Sequence, residues 1–183
     1  MIAPEPILTL EPLLEAIREG LEGEGWELSG LQKTTSYEFE GRWAGDSSRS
    51  AYLFFHAEGV PEWVSVDVFL DETSRGLKGN LALVLDGPEL SEVGDPGTAL
   101  SHLAGVARKA LPEGYQTPLT LKYRLPNLSE DPGKSDTEFR FKLYIPAPAL
   151  KAGHSAVVAL TASTVRAFGK LLESQDLRGL LSP

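Results

Sequence analysis

Apolar residues recur along this chain at two spacings, and the switches between them mark its elements. From Thr9 to Leu21, Leu10, Leu13, Leu14, Ile17 and Leu21 stand three or four positions apart, which puts them on one face of a helix. Thr9 stands where an N-cap is expected, Pro12 falls in the first turn, and Gly23 and Gly25 end the run. From Trp26 the period becomes two. Tyr37, Phe39, Gly41 and Trp43 alternate with Glu38, Glu40 and Arg42, the pattern of a strand with one dry and one wet face. Residues 44–49 read as a turn, and Tyr52–Ala57 reads as a strand apolar on both faces. Trp63–Leu70 alternates again, with Val64, Val66, Val68 and Leu70 on one side. Asp71–Gly79 is then expected to turn the chain, and Leu81, Leu83 and Leu85 form a fifth strand.

Asp95 and Pro96 open a second amphipathic helix carrying Leu100, Leu103, Ala107, Ala110 and Leu111, which Pro112 stops. Leu119, Leu121, Tyr123 and Leu125 alternate with polar residues, as do Phe139, Phe141, Leu143 and Ile145, so two further strands are expected as a hairpin. After Pro146 and Pro148, Ser155–Glu173 returns to helical spacing through Val157, Leu160, Thr164, Val165, Phe168, Leu171 and Leu172. The expected order is a helix, five strands, a helix, two strands and a helix. That order suits a single α+β domain over residues 1–183, an antiparallel sheet of about seven strands with three helices mainly on one face. A shift of 89 positions lays Leu14, Ile17, Glu24, Gly25 and Trp26 on Leu103, Val106, Glu113, Gly114 and Tyr115, a weak trace of duplication of 9–89 in 98–183. The element order is also similar to that of the type III secretion chaperones, with two further strands here and no matching motif. These are small acidic proteins that bind partner segments, so the resemblance implies a partner-binding role.

Composition narrows the functions open to such a domain. With 183 residues, 42% of them hydrophobic, the chain can build a core without metal or disulfide staples. Cysteine is absent, which removes thiol nucleophiles, Cys-ligated zinc and iron–sulfur clusters. No apolar run approaches ~18 residues and the first dozen residues hold no Lys or Arg, so a cytoplasmic protein without a membrane partner is expected. A single Met and five side-chain amides leave few heat-labile residues, a bias shared by some thermophile proteins. The net charge of −9 disfavours general binding to polyanions. That charge is unevenly spread: residues 1–89 hold 6 basic and 17 acidic side chains, and residues 90–183 hold 11 and 9.

Catalytic signatures are scarce. His56, His102 and His154 lie far apart, and the His56-Ala57-Glu58 spacing of a zinc deaminase lacks its downstream cysteines. Gly133-Lys134-Ser135 is followed by an expected strand rather than the helix that a phosphate-binding loop needs. Asp67, Asp71 and Glu72, at the expected end of one strand, are weak candidates for a divalent metal and hence for a metal-assisted hydrolase. The charge pattern says more. Lys122 and Arg124 share the outward face of one hairpin strand, and Arg140 and Lys142 that of its neighbour, beside Tyr144. Trp63 and Phe69 are expected opposite the valine face, on sheet surface that helices on one side leave free. A non-enzymatic binding, adaptor or chaperone-like module follows, one that requires no cofactor and holds a protein partner or a second copy of itself through these seven residues. A carrier of a small apolar ligand between sheet and last helix is an alternative. So is single-stranded nucleic-acid binding through the basic hairpin, with Tyr144 stacking a base.

Overall fold

The computed structural model describes residues 3–36, 48–86, 96–111, 120–123 and 138–174. In chain order the elements are α1 (Leu10–Gly23), β1 (Trp26–Ser36), β2 (Ser48–Ala57), β3 (Val64–Thr73), β4 (Gly76–Asp86), α2 (Pro96–Ala110), β5 (Thr120–Tyr123), β6 (Glu138–Tyr144), α3 (Ala147–Ala152) and α4 (His154–Glu173). The strands form one sheet in the order β1-β2-β3-β4-β6-β5, every neighbouring pair antiparallel. The class is α+β, as the periodicities require. The β4–β6 pairing joins the acidic first half to the second half in that sheet. Among the described residues, the two stretches compared by the 89-residue shift carry a helix and four strands and a helix, two strands and two helices; Glu113, Gly114 and Tyr115 lie outside the described residues.

Two expectations about element number are corrected. Among the described residues there are six strands rather than seven, the strand from Trp26 being β1, Trp26–Ser36. Tyr37–Trp43, expected as a strand, lies outside the described residues. Among the described residues there are also four helices rather than three, because Ala147–Ala152 forms a short helix with Pro148 in its first turn, where the two prolines are expected only to break the pattern, and Gly153 separates it from α4. The Gly153 φ of 97° is left-handed, and a Cβ there would lie 2.6 Å from the Glu5 carbonyl oxygen, so the chain bends at the one residue able to occupy that position. The expected turn Asp71–Gly79 is also shorter than its polarity suggests. β3 runs on through Asp71, Glu72 and Thr73, and only Ser74 and Arg75 separate it from β4. Alternation fails at this end of the hairpin because Glu72 has work other than core packing there. The polar start of β2 is its partner, with Arg49 opposite Glu72 and Ser50 opposite Asp71.

Strand register gathers one face of the sheet. Ala51, Leu53 and Phe55 of β2, Val64, Val66, Val68 and Leu70 of β3, Leu81, Leu83 and Leu85 of β4, and Phe139, Phe141 and Leu143 of β6 are all buried. They share one cluster with Leu13, Ile17 and Leu21 of α1, Leu103 and Ala107 of α2, and Val157, Val165, Phe168 and Leu171 of α4. Each large side chain fully buried here contributes about 1.5–3 kcal/mol relative to exposure. α4 is long and apolar enough by length and composition to cross a membrane, but its apolar face lies in this same core. α1 and α4 approach closely at Gly20, where a Cβ would stand 2.7 Å from that of Thr161. His154 and Glu19, 2.7 Å apart, and Arg166 and Glu24, 3.2 Å apart, bracket this contact.

Candidate functional site

The second face of the sheet is built by the alternate residues of the same strands. Tyr52 and Phe54 project from β2, Ser65, Asp67, Phe69 and Asp71 from β3, Lys78, Asn80, Ala82 and Val84 from β4, and Arg140, Lys142 and Tyr144 from β6. Cross-strand pairing sets them in rows: Gln32, Tyr52, Phe69, Asn80 and Tyr144 follow one another across five strands. The Tyr52 and Phe69 rings pack with centroids 4.7 Å apart at 40°. Both tyrosines remain 41% exposed. α1, α2 and α4 occupy the opposite face, so here large rings stand in a half-wet layer that no core requires.

Among the described residues, two hollows indent this face. The first, about 320 Å³, is walled by Tyr52, Phe54 and Phe69 and edged by Gln32, Asp67 and Arg140. The second, about 430 Å³, lies toward the end of β6 and has an apolar floor including Leu77, Ile145 and, from α3, Ala147 and Leu150; Asp71, Lys78, Lys142 and Tyr144 stand at its sides. Phe69 and Asn80 line both. Asn80 is only 7% exposed, and among the described residues its carboxamide has no hydrogen-bond partner. Leaving such a group buried and unpaired costs about 1–3 kcal/mol.

The charged residues divide into answered and unanswered groups. Arg140 donates from Nε to Glu138 Oε1 at 2.9 Å, and its Nη2 lies 3.6 Å from Asp67 Oδ2. Ser65 Oγ donates to Asp67 Oδ1 at 2.8 Å. Burial nevertheless holds the Asp67 carboxyl above its ordinary pKa, outweighing the Ser65 hydrogen bond and the Arg140 charge. Lys122 lies directly opposite Arg140 across the β5–β6 pair, and Lys142 Nζ sits 5.2 Å from the centre of the Tyr144 ring, within cation–π range. Among the described residues, neither Lys78 nor Lys142 has a carboxylate within 4 Å.

The candidate residues are thus only partly assembled. Arg140, Lys142, Tyr144 and Phe69 share the second face with Lys122, and Arg124 lies outside the described residues. Trp63 precedes β3 and is half-buried against the core cluster, lining neither hollow. Asp67 and Asp71 stand on the second face four residues apart, about 13 Å along an extended strand, and Asp71 accepts from Ser50 Oγ at 2.9 Å. Glu72 points to the opposite face. Its Oε2 accepts from the backbone N–H of Leu10 at 2.6 Å, and Arg49 donates to both its oxygens at 3.0 and 2.9 Å. Arg49 also pairs with Glu11. The three carboxylates therefore do not meet, and among the described residues no three His, Asp or Glu side chains gather where a metal could bind.

His56 is exposed opposite Glu27, His154 meets Glu19, and His102 lines a hollow of about 630 Å³ between α2 and α4 with Val106, Lys109 and Lys170. The layer between the sheet and α4 is filled by Phe55, Phe141, Phe168 and their neighbours. Sequence reasoning missed Asn80, Gln32, Tyr52 and Phe54 as members of a surface site. Lys78, Asn80, Ala82 and Val84 share one parity, a signal hidden by reading residues 71–79 as a turn. No family model, curated protein or solved structure matches the chain.

Proposed function

We propose that this chain is a non-enzymatic binding module, adaptor or chaperone-like in character, that holds an extended segment of a partner protein against the second face of its sheet. The observation that carries this reading is the aromatic row: Tyr52 packed on Phe69, with Tyr144 further along, half-exposed on the face opposite the helices. Rigid rings with polar tips supply large contact area at low entropic cost, which is why aromatics are enriched in the centres of interfaces. Lys78, Lys142 and Lys122 around this row favour a segment that carries carboxylates.

The test is a titration of the ¹⁵N-labelled full chain with peptides selected on it from a random display library. Amide shifts are expected to gather on β2, β3, β4 and β6. Tyr52→Ser combined with Tyr144→Ser, both at exposed positions, should weaken binding at least about tenfold, or ~1.4 kcal/mol. Replacing Lys78 and Lys142 by Glu should slow association and flatten its salt dependence. Shifts confined to the α1–α4 side, or unchanged affinity in the double serine variant, would remove the proposal. Concentration-dependent sedimentation abolished by the same serine substitutions would assign the face to a second copy of the chain instead.

A further inference from the structure

We infer that Asn80 determines the specificity of this face: its carboxamide pairs with a backbone amide group of an acidic, extended partner segment, donating to the carbonyl and accepting from the N–H. The inference rests on the partner-segment reading above and goes beyond it by naming the group recognised and the residue that recognises it.

Three polar side chains are buried among the described residues. Thr164 Oγ1 donates to the Leu160 carbonyl at 2.7 Å, and Thr161 lies in the seam between α1 and α4 against Gly20. Asn80 differs from both. It stands at the wall common to the two hollows, with Phe69 and Tyr144 as its cross-strand neighbours. A group reaching its carboxamide must therefore lie between aromatic rings.

The chemistry of that group follows from what Asn80 offers. A carboxamide presents two N–H donors and an oxygen acceptor. A hydrocarbon would leave both functions unmatched, and a carboxylate or ester would leave the oxygen without a donor. An amide satisfies both, and the backbone of an extended peptide carries one N–H and one C=O at each non-proline residue. Sites built to hydrogen-bond a ligand reject analogues lacking that group strongly, because their own buried polar atoms are then stranded. Lys78 and Lys142 flank the second hollow with no carboxylate within 4 Å among the described residues; they outnumber Asp71, the one acid in its lining, whose carboxylate already accepts from Ser50, and so set the charge of the segment. The aromatic first hollow sets the preference for an apolar side chain beside the recognised amide.

Two probes carrying the same ring test this directly: N-acetylphenylalanine methylamide, and methyl 3-phenylpropanoate, which has no N–H. The chain holds only two asparagines, Asn80 and Asn127, so the side-chain NH₂ resonances of Asn80 can be followed by NMR in the full-length protein. The diamide is expected to shift them in a saturable way and the ester is not. Asn80→Leu should keep or raise the melting temperature, since it removes a stranded polar group, and should weaken the diamide at least about tenfold; Asn80→Ala serves the same purpose should leucine overfill the site. Diamide affinity within about twofold of wild type in both variants, no Asn80 shift at saturating solubility, or a lowered melting temperature in both variants would each overturn the inference. Library-selected peptides separate it from the parent reading. Peptides weakened by Tyr52→Ser with Tyr144→Ser but indifferent to Asn80→Leu would leave the binding face and remove the role of Asn80, whereas peptides bound elsewhere would remove both.

Discussion

Two carboxylates five residues apart on β3 face opposite sides of the sheet, and their surroundings give them opposite pH dependence. Burial raises the pKa of Asp67 above its ordinary 3.8, so proton uptake favours the folded state. The destabilisation from its charge is present at neutral pH and disappears as pH falls through the raised value. Asp67→Asn is therefore expected to raise the urea midpoint near pH 7 and to lose that advantage in acid. A lower midpoint at pH 7 would show that the Arg140 and Ser65 contacts outweigh burial. Glu72 behaves in the opposite sense. Hydrogen bonds from Arg49, and then from the Leu10 N–H, hold its pKa below the ordinary 4.5. Its contribution to stability is complete above 4.5 and is lost as pH falls through the lowered folded-state value. Glu72→Gln should cost about 1 kcal/mol near neutrality, the scale of a helix cap, and converge on wild type in acid. Equal midpoints for the two proteins at neutral pH would show that the cap contributes nothing.

Elements here are held by partners remote in sequence. Thr9 occupies the N-cap position of α1 with extended backbone but makes no side-chain capping bond; Glu72, 62 residues beyond Leu10, takes that role. An acidic group at a helix N-terminus also complements the positive end of the helix dipole. Arg49 ties this cap to Glu11 in the first turn of α1, so β2, β3 and α1 are fixed together at one corner. The far end of α1 depends on close approach. Gly20→Ala would gain helix propensity on an isolated helix by roughly 1 kcal/mol, but the added methyl meets Thr161 and the Val158 carbonyl. Overpacking of this kind costs about 1–3 kcal/mol, so chemical denaturation should show a net loss. A stabilised variant would mean that α4 shifts freely against α1.

At the scale of the molecule, the sheet order places β3 and β4 in its interior, each paired on both sides and packed beneath helices on one face. Their amides should exchange with solvent only at the free energy of global unfolding, whereas those of β5, a four-residue edge strand, should exchange through local opening. Faster exchange in β3 than in β5 would contradict this order of stability. The same architecture fixes how the surface is used. α1, α2 and α4 cover one sheet face, and the other face retains the aromatic row and the two hollows. The acidity of the first half and the cations of the second are brought into one sheet, where Asp67 answers Arg140 and the predicted basic patch is partly neutralised.

Much of the fold follows from the chain's own periodicities. Spacings of two and of three to four located α1, β3, α2, β6 and α4, because the side-chain geometry of strands and helices is local and leaves its period in the residues that must be buried. The absence of cysteine likewise excluded thiol chemistry without any structure. The roles of individual polar residues were decided only in three dimensions. Asp67 and Glu72 read alike as acids near a strand end, yet strand parity sends one to the open face and the other to a helix terminus. Asn80 fell between the expected turn and the expected strand and belonged to neither, and register across β3 and β6 set it, buried, between Phe69 and Tyr144. Burial of an apolar residue is specified by neighbours on its own element, whereas the function of a polar one depends on which distant atoms the sheet order delivers to it, and that order is a property of the whole chain.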